Sequence, residues 1–510
     1  MTPKPGWAGG AAKQPPRPSS RLLRFFTLGG KMIAANAPSG ARPEEPMQPE
    51  PRFLNAIVLA VLLLAGAPAA PAQTAAPDTA QAATAPARTL VLESIELTGT
   101  GRTSLATLAK YLPLRAGQAI DQDTLVAAVD ELRASNLFAE VDFFTRPGSG
   151  RGRLVLVLEV REHGLDFRWA AGNTNLDGWY LVPVMLALDN PSGHGDLLDL
   201  QWRIGFRHSG VLLNYARPRA GSGRDYWAGR LSAISTDLPW FEGGVEYRQE
   251  VQHGGLAGVY GRRFGGTWLG EVGLHLDAVN TADYSRAYTN APDGSVSYDD
   301  EISGDDLPPG IRDGLGDDSR AIVHFDLQHD DRSREQRAGT PVSGLWGRLK
   351  PRAVLQGPRS NFGLQADLRG YRSVPGGVLG LRLRGELVTG HAAFYDRLYL
   401  GGMYSVRGFP TASLSAPGGD TWLWSGSLEH RSRILGDKKG TKLAGVLFLD
   451  AGAAGGFDGD AIPGLAVGTG YGVRLRVWWL GWVGVDVGFP LTARPVDQRF
   501  QTNASIGWSF

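Results

Sequence analysis

The sequence predicts a membrane all-β protein, a transmembrane antiparallel β-barrel preceded by one small α+β domain. Three observations carry this. From about residue 165 onward, helical spacing gives way to segments in which apolar and polar residues alternate, as in roughly ten-residue strands with one wet and one lipid-facing side. Glycine (70) and tryptophan (14) are abundant while mean hydropathy is slightly negative, which excludes a bundle of membrane helices but suits strands in a bilayer. The one strongly apolar run, LNAIVLAVLLLAGA (Leu54 to Ala67), is shorter than the roughly 20 residues that a spanning helix needs.

That run follows Arg52 and leads into small residues with an Ala-x-Ala cut after Ala72, so residues 47–72 read as a secretory signal peptide starting at Met47. Residues 1–46, rich in Pro, Gly and basic side chains, read as a mis-assigned or extra N-terminal extension. Residues 73–88, mostly Ala, Pro, Thr and Gln, read as a low-complexity linker. Cysteine is absent, which removes disulfides, thiolate metal sites, a cysteine nucleophile and a lipoprotein anchor. A net charge of +1 gives no reason to expect a nucleic-acid partner. No Ser-His-Asp set lies on plausible strand ends, so no catalytic residue, no metal and no cofactor is expected.

Residues 89–163 form the small domain. LVLESIELTG alternates and reads as a strand. TSLATLAKYLPL carries Leu105, Leu108, Ala109 and Leu112 at helical spacing, with Thr103 or Ser104 as cap. DQDTLVAAVDELRASNLF repeats the pattern with Leu125, Val129 and Leu132, capped by Asp121 or Asp123. AEVDFFTRP and GRLVLVLEVRE then read as two strands around a Pro-Gly-Ser-Gly turn. This order, with GQAID and LFAEV in place, resembles a single POTRA (polypeptide-transport-associated) domain. The resemblance implies a sheet edge or helix groove that receives an extended client chain by strand addition.

Residues 164–510 form the barrel. Leu381, Leu383 and Leu387 share one face, opposite Arg382, Arg384 and Glu386. Tyr471, Val473 and Leu475 oppose Gly472, Arg474 and Arg476, and Val483, Val485 and Val487 oppose Gly484, Asp486 and Gly488. A soluble sandwich would also alternate, but with a charged outer face. Here the charged faces oppose one another and the other faces carry Trp, Tyr and Leu, which suits a polar lumen inside an apolar exterior. Closure also removes the strand edges that a bilayer does not tolerate. The final segment NASIGWSF aligns Ile506, Trp508 and Phe510, and resembles the terminal assembly signal of bacterial outer-membrane barrels. The aspartate-rich stretch from about Thr281 to Ser319 reads as a solvated, mobile loop rather than a calcium or lipopolysaccharide-bridging site, since its spacing lacks the closing glutamate of a calcium loop.

Several motifs now fall in order: LDNPSGHGD, HDDRSREQRAGTPVSG, LYLGGMYSVRGFP, WSGSLEHRSRI, GVLFLDAG and VGFPL. Together they resemble the superfamily of outer-membrane assembly and secretion barrels that includes BamA, TamA and the two-partner-secretion transporters. The resemblance implies about sixteen strands and a loop folded back into the lumen, its tip Val406, Arg407, Gly408 and Phe409. Alternation adds partners. With Leu447 and Leu449 outward, Phe448 and Asp450 face the lumen; with Trp422, Trp424 and Leu428 outward, Glu429 faces it, and Arg431 lies beyond. Arg407, a planar fork suited to carboxylates, is expected to meet Asp450 or Glu429, with Gly408 close to the wall and Phe409 against Phe448. Whether the contact only braces the barrel or also gates it stays open. The function implied is nucleotide-free insertion or translocation of unfolded outer-membrane or secreted polypeptides, with the POTRA in the periplasm, where it also offers a surface to periplasmic partners, and the barrel against lipid and lipopolysaccharide. A dedicated two-partner-secretion exporter and a passive porin-like channel are the alternatives; none of the three is an enzyme.

Overall fold

The computed structural model describes residues 90–510 apart from 136, 174–178, 221–222, 291–295, 298–299, 335–339, 438–439, 457–463, 478–480 and 494. The extension, signal peptide and linker assigned to residues 1–88 lie outside the described residues.

The small domain begins with β1 (Leu90–Thr98), α1 (Leu105–Leu108), β2 (Ala119–Ile120), α2 (Gln122–Ala134), β3 (Glu140–Pro147) and β4 (Arg153–Arg161). Its sheet has the order β2-β1-β4-β3, with β1 parallel to β4 and the other neighbours antiparallel. Ser104 caps α1 by accepting from the Thr107 N–H, and Asp121 caps α2 by accepting from the Thr124 N–H at 2.8 Å, each satisfying a donor the helix leaves free. The apolar stripe Leu125, Val129 and Leu132 is buried with Leu92, Leu156 and Leu158 of the sheet. α1 is shorter than its spacing predicts. Pro113 disfavours helical geometry at Leu112, and the chain turns away after Ala109. The two-residue β2 has no signal in the apolar pattern. The architecture resembles a POTRA domain.

The barrel wall opens with β5 (Leu165–Asn173), β6 (Trp179–Asp189), β7 (Leu197–Gly205), β8 (His208–Ala220), β9 (Asp225–Glu242), β10 (Val245–Phe264) and β11 (Trp268–Asn290). After the short β12 (Val296–Ser297) and β13 (Glu301–Ser303) come β14 (Asp317–Asp330), the two-residue β15 (Ser333–Arg334), β16 (Pro341–Leu355), β17 (Asn361–Val374) and β18 (Gly377–Gly390). The wall closes with β19 (Trp422–Asp437), β20 (Gly440–Gly455), β21 (Ala466–Val477), β22 (Gly481–Pro490) and β23 (Gln501–Ile506). Setting the three short strands aside, sixteen strands line the closed wall among the described residues. No described helix is long and apolar enough to cross a membrane. The period of two sorts the faces as read from sequence: Leu447, Tyr471 and Leu475 are exposed outward, while Phe448, Asp450, Arg474 and Asp486 are buried inside.

The wall is uneven. β10 and β11 run 20 and 23 residues, whereas β23 has six. Every other pair of wall neighbours is zipped by a residue-by-residue antiparallel ladder, for example β22 to β23 and β5 to β6. The remaining pair, β23 and β5, also lie side by side in the closed wall, where the Asn173 amide donates to the Ile506 carbonyl at 2.9 Å.

Two expectations are corrected. The stretch Thr281–Ser319 is not a wholly solvated loop. β11 extends into it, and a short helix α3 (Pro309–Arg312) follows. Leu307 and Ile311 are fully buried with Leu238, Trp240, Val251, Val279 and Phe394; their four-residue spacing is an apolar stripe hidden among the aspartates. The last strand also stops early. Ile506 ends β23, Gly507 takes φ +102°, and Trp508 to Phe510 leave the wall for the interior instead of continuing the alternation.

Candidate functional site

The connection between β18 and β19, residues 391–421, folds into the barrel. It is stiffened by its own main chain: Leu398 and Asp420 exchange both backbone hydrogen bonds (2.9 and 2.8 Å), and the Gly402 N–H donates to the Phe409 carbonyl at 3.0 Å. Val406 and Phe409 are buried in an apolar cluster with Leu400, Leu423, Ala454 and Ala466. Those two anchors force the residue between them and Gly408, Arg407, against the wall.

Arg407 is 1% exposed. Its Nε and Nη2 form a fork on Asp450 at 2.7 and 2.8 Å, and its backbone N–H donates to the same carboxylate at 3.0 Å. Nη1 donates to Glu429 Oε1 at 2.6 Å and reaches Asp486 at 3.5 Å, while Nη2 also donates to Ser427 Oγ at 2.9 Å. The guanidinium carbon lies 3.6 Å from the centre of the Phe448 ring, a cation–π stack. Phe448 therefore takes Arg407 as its partner rather than Phe409, which is drawn into the apolar cluster. Around this centre Arg431 donates to Glu429 at 2.9 Å, and Arg474 forks onto Asp486 at 2.6 and 2.7 Å. Three guanidinium groups thus face three carboxylates, so charges removed from water compensate one another, as buried charges must.

Glycines set the closeness of the contact. Gly408 has φ +104°, and a Cβ there would lie 2.9 Å from the carbonyl carbon of Phe489. On the wall, a Cβ at Gly468 would lie 1.9 Å from the Arg407 carbonyl oxygen, and one at Gly488 2.5 Å from the Gly408 nitrogen. The structure thus brings Val406, Arg407, Gly408, Glu429, Arg431, Phe448 and Asp450 into one site, with Phe409 as an anchor beside it. Trp508 and Phe510 join it from the chain terminus, since Arg431 lies over both rings at 4.6 and 4.8 Å; Ile506 stays in the wall. Ser427, Arg474, Asp486 and Ser509 belong to the site but were not tied to it by sequence. Alternation sets Arg474 and Asp486 on lumen faces, yet only the curvature of the wall brings them to the loop.

A second constellation fixes the small domain to the barrel. The turn between β6 and β7, LDNPSGHGD, holds Asn190 at φ 54°. The Asn190 side chain donates to Thr103 Oγ1 at 2.7 Å and accepts from the Gly195 N–H at 2.7 Å. Gly193 and Gly195 let the turn meet the domain: a Cβ on either would lie 2.1 Å from the Arg102 carbonyl oxygen or 2.0 Å from the Tyr111 hydroxyl. Beside it, Glu162 accepts from the hydroxyls of Thr100 and Thr103, the Thr103 N–H and Arg102 Nε. Burial pushes the Glu162 carboxyl up, but these donors outweigh it and hold the group well below the usual carboxylate range.

Residues 190–510 match the Omp85 superfamily domain, more than half of the chain. No curated protein sequence matches. Among solved structures, BamA from Haemophilus ducreyi lacking POTRA domains 1–3 aligns at TM-score 0.60 and 16% identity, covering 82% of this chain and 84% of that one. CdiB from Acinetobacter baumannii aligns at TM-score 0.48 and 17% identity, covering 82% of this chain and 74% of that one. The first likeness extends the shared fold through most of the barrel.

Proposed function

The chain belongs to the Omp85 superfamily, and from that premise we propose that it assists insertion or translocation of client polypeptides at the bacterial outer membrane, with the small domain in the periplasm. The seam between β23 and β5 carries this reading. A barrel zipped all round has no place for a client strand, whereas here β23 stops at Ile506, whose carbonyl meets Asn173 at the far end of β5, and the chain turns inward at Gly507 instead of running on along β5. A client strand exchanging backbone hydrogen bonds with such an edge gains what the resting seam lacks. In the small domain the edge strand β3 supports a capture role. Phe144 is 48% exposed on it, and Arg133 Nε occupies one of its carbonyls, that of Val141, at 2.9 Å, leaving the rest of the strand to receive an extended segment. The energy comes from the client's own folding.

In this reading the Arg407 site holds the lumen loop in place, and Ile506, Trp508 and Phe510 serve as the assembly signal while the chain is still unfolded. Depletion followed by comparison of the outer-membrane and secreted proteomes tests the proposal. Loss of many barrels supports assembly, loss of one secreted protein supports a dedicated exporter, and an unchanged profile of both sinks the reading.

A further inference from the structure

The residues after β23 close a connection between the seam and the lumen loop. Gly507 turns the chain inward, its N–H donating to the Trp482 carbonyl at 2.7 Å. Trp508 then meets Trp482 edge-on at 5.2 Å between ring centres. Ser509 Oγ donates to Glu429 Oε1 at 2.5 Å, and the Phe510 carbonyl oxygen accepts from Arg431 Nη2 at 2.8 Å. The Phe510 ring reaches across the lumen to Tyr371, 6.2 Å away, where Gly380 makes room; a Cβ there would lie 3.3 Å from that ring. Glu429 is the shared element. The same oxygen that accepts from Ser509 accepts from Arg407 Nη1 at 2.6 Å, and its other oxygen accepts from Arg431. The gap between loop tip and tail, lined by Tyr404, Ser405, Ser427 and Phe510, has a volume of about 10 Å³, room for one water at most.

We propose that Ser509 and Phe510 form a latch coupled to the Arg407 loop through Glu429, so that the end of β23 leaves the lumen together with a loosening of the loop. Withdrawing the tail takes one donor from Glu429 and one acceptor from Arg431. The carboxylate that fixes Arg407 is then held by fewer partners and is free to move. Coupling of this kind is reciprocal: whatever loosens the loop loosens the tail by the same factor. Because the tail continues the strand at the seam, its release changes the place where β23 meets β5. The coupling belongs to the resting barrel and holds whichever client is used.

The absence of cysteine makes single-cysteine reporters available. Ser405→Cys reports on the loop and Ser505→Cys on the end of β23; both positions are buried, at 8% and 3% exposure. The full chain is folded into phosphatidylcholine vesicles, checked by its heat-shifted gel mobility, and labelled with a maleimide. Ser509→Ala with Phe510→Ala is expected to speed labelling at Ser405→Cys, and Arg407→Lys to speed labelling at Ser505→Cys, each by roughly 5-fold or more. Faster labelling of Ser505→Cys by the tail variant with no change at Ser405→Cys would overturn the coupling. If the double tail variant fails to fold, Ser509→Ala alone removes one hydroxyl and Ser509→Thr restores it. Slow labelling regained with Thr supports the latch, and equally fast labelling with both refutes it.

Discussion

Arg407 is held at the residue scale by shape as much as by charge. Its fork on Asp450 needs a planar group, so Arg407→Lys keeps the charge but gives up the fork and the stack on Phe448. Removing one partner of a buried pair costs about 3–5 kcal/mol, because the other is left uncompensated. Arg407→Ala and Asp450→Ala are each expected to lower the urea midpoint of the folded barrel, with the double variant little worse than either; additive losses would argue against direct pairing. The glycines give an independent test. Gly468→Ala changes no charge, yet its Cβ would lie 1.9 Å from the Arg407 carbonyl oxygen, so it is expected to be nearly as damaging as Arg407→Ala. Gly385→Ala, on β18 with nothing within 4 Å of the added carbon, is the matched control and is expected to be silent in the same urea titration.

At the element scale the small-domain loop that receives Asn190, Thr100 to Thr103, is braced by a titratable group. Glu162 is held below its ordinary range, so its contribution is fully present above the unfolded carboxylate value of about 4.3 and is lost as pH falls through the folded value. The joint between small domain and barrel is therefore expected to be insensitive to pH from neutral down to about pH 5 and to loosen in more acidic solution. Glu162→Gln is expected to weaken it at neutral pH and to flatten that acid slope; protease cleavage between β4 and β5 as a function of pH reads both. Asn190→Gly keeps the left-handed backbone but loses the bond to Thr103, so it should weaken the joint less than Asn190→Ala, which loses both. The stretch LDNPSGHGD was legible as a motif, and it proves to be the turn in which Asn190, Gly193 and Gly195 take left-handed geometry that few residue types admit; the wall faces were legible because a period of two is strict once neighbours ladder. What was not legible depends on curvature and on contacts distant in sequence: Asp486 reaching Arg407, Ser509 reaching Glu429, the buried stripe of Leu307 and Ile311. The inward turn after Ile506 was hidden for a related reason. WSF continues the alternation in letters, and only the backbone geometry at Gly507 breaks it.

Across the whole molecule, the tall side of the barrel and the low seam carry different closures. The turns between β6 and β7 and between β8 and β9 meet the small domain, so the connection carrying α3 and the one carrying Arg407 both emerge at the opposite end. There they interlock. A Cβ on Gly310 would lie 2.9 Å from the Gly418 Cα, and one on Gly418 2.6 Å from the Gly310 Cα, so main chain lies directly on main chain. Ile311 and Phe394, both fully buried, join the two loops in one apolar cluster. The loop that Arg407 fixes at its tip is therefore also pinned against the connection carrying α3, and α3 is expected to act as a cap over the lumen. Ile311→Asp places an unpaired charge in that cluster, which burial does not tolerate. The cap should lift while the Arg407 contacts stay intact. In planar bilayers this variant is expected to show a larger single-channel conductance than the parent chain, with an unchanged urea midpoint for the barrel. Arg407→Ala should lower the midpoint as well as raise the conductance. Equal conductance in Ile311→Asp and the parent would mean that the folded Arg407 loop, not the cap, is what closes the lumen.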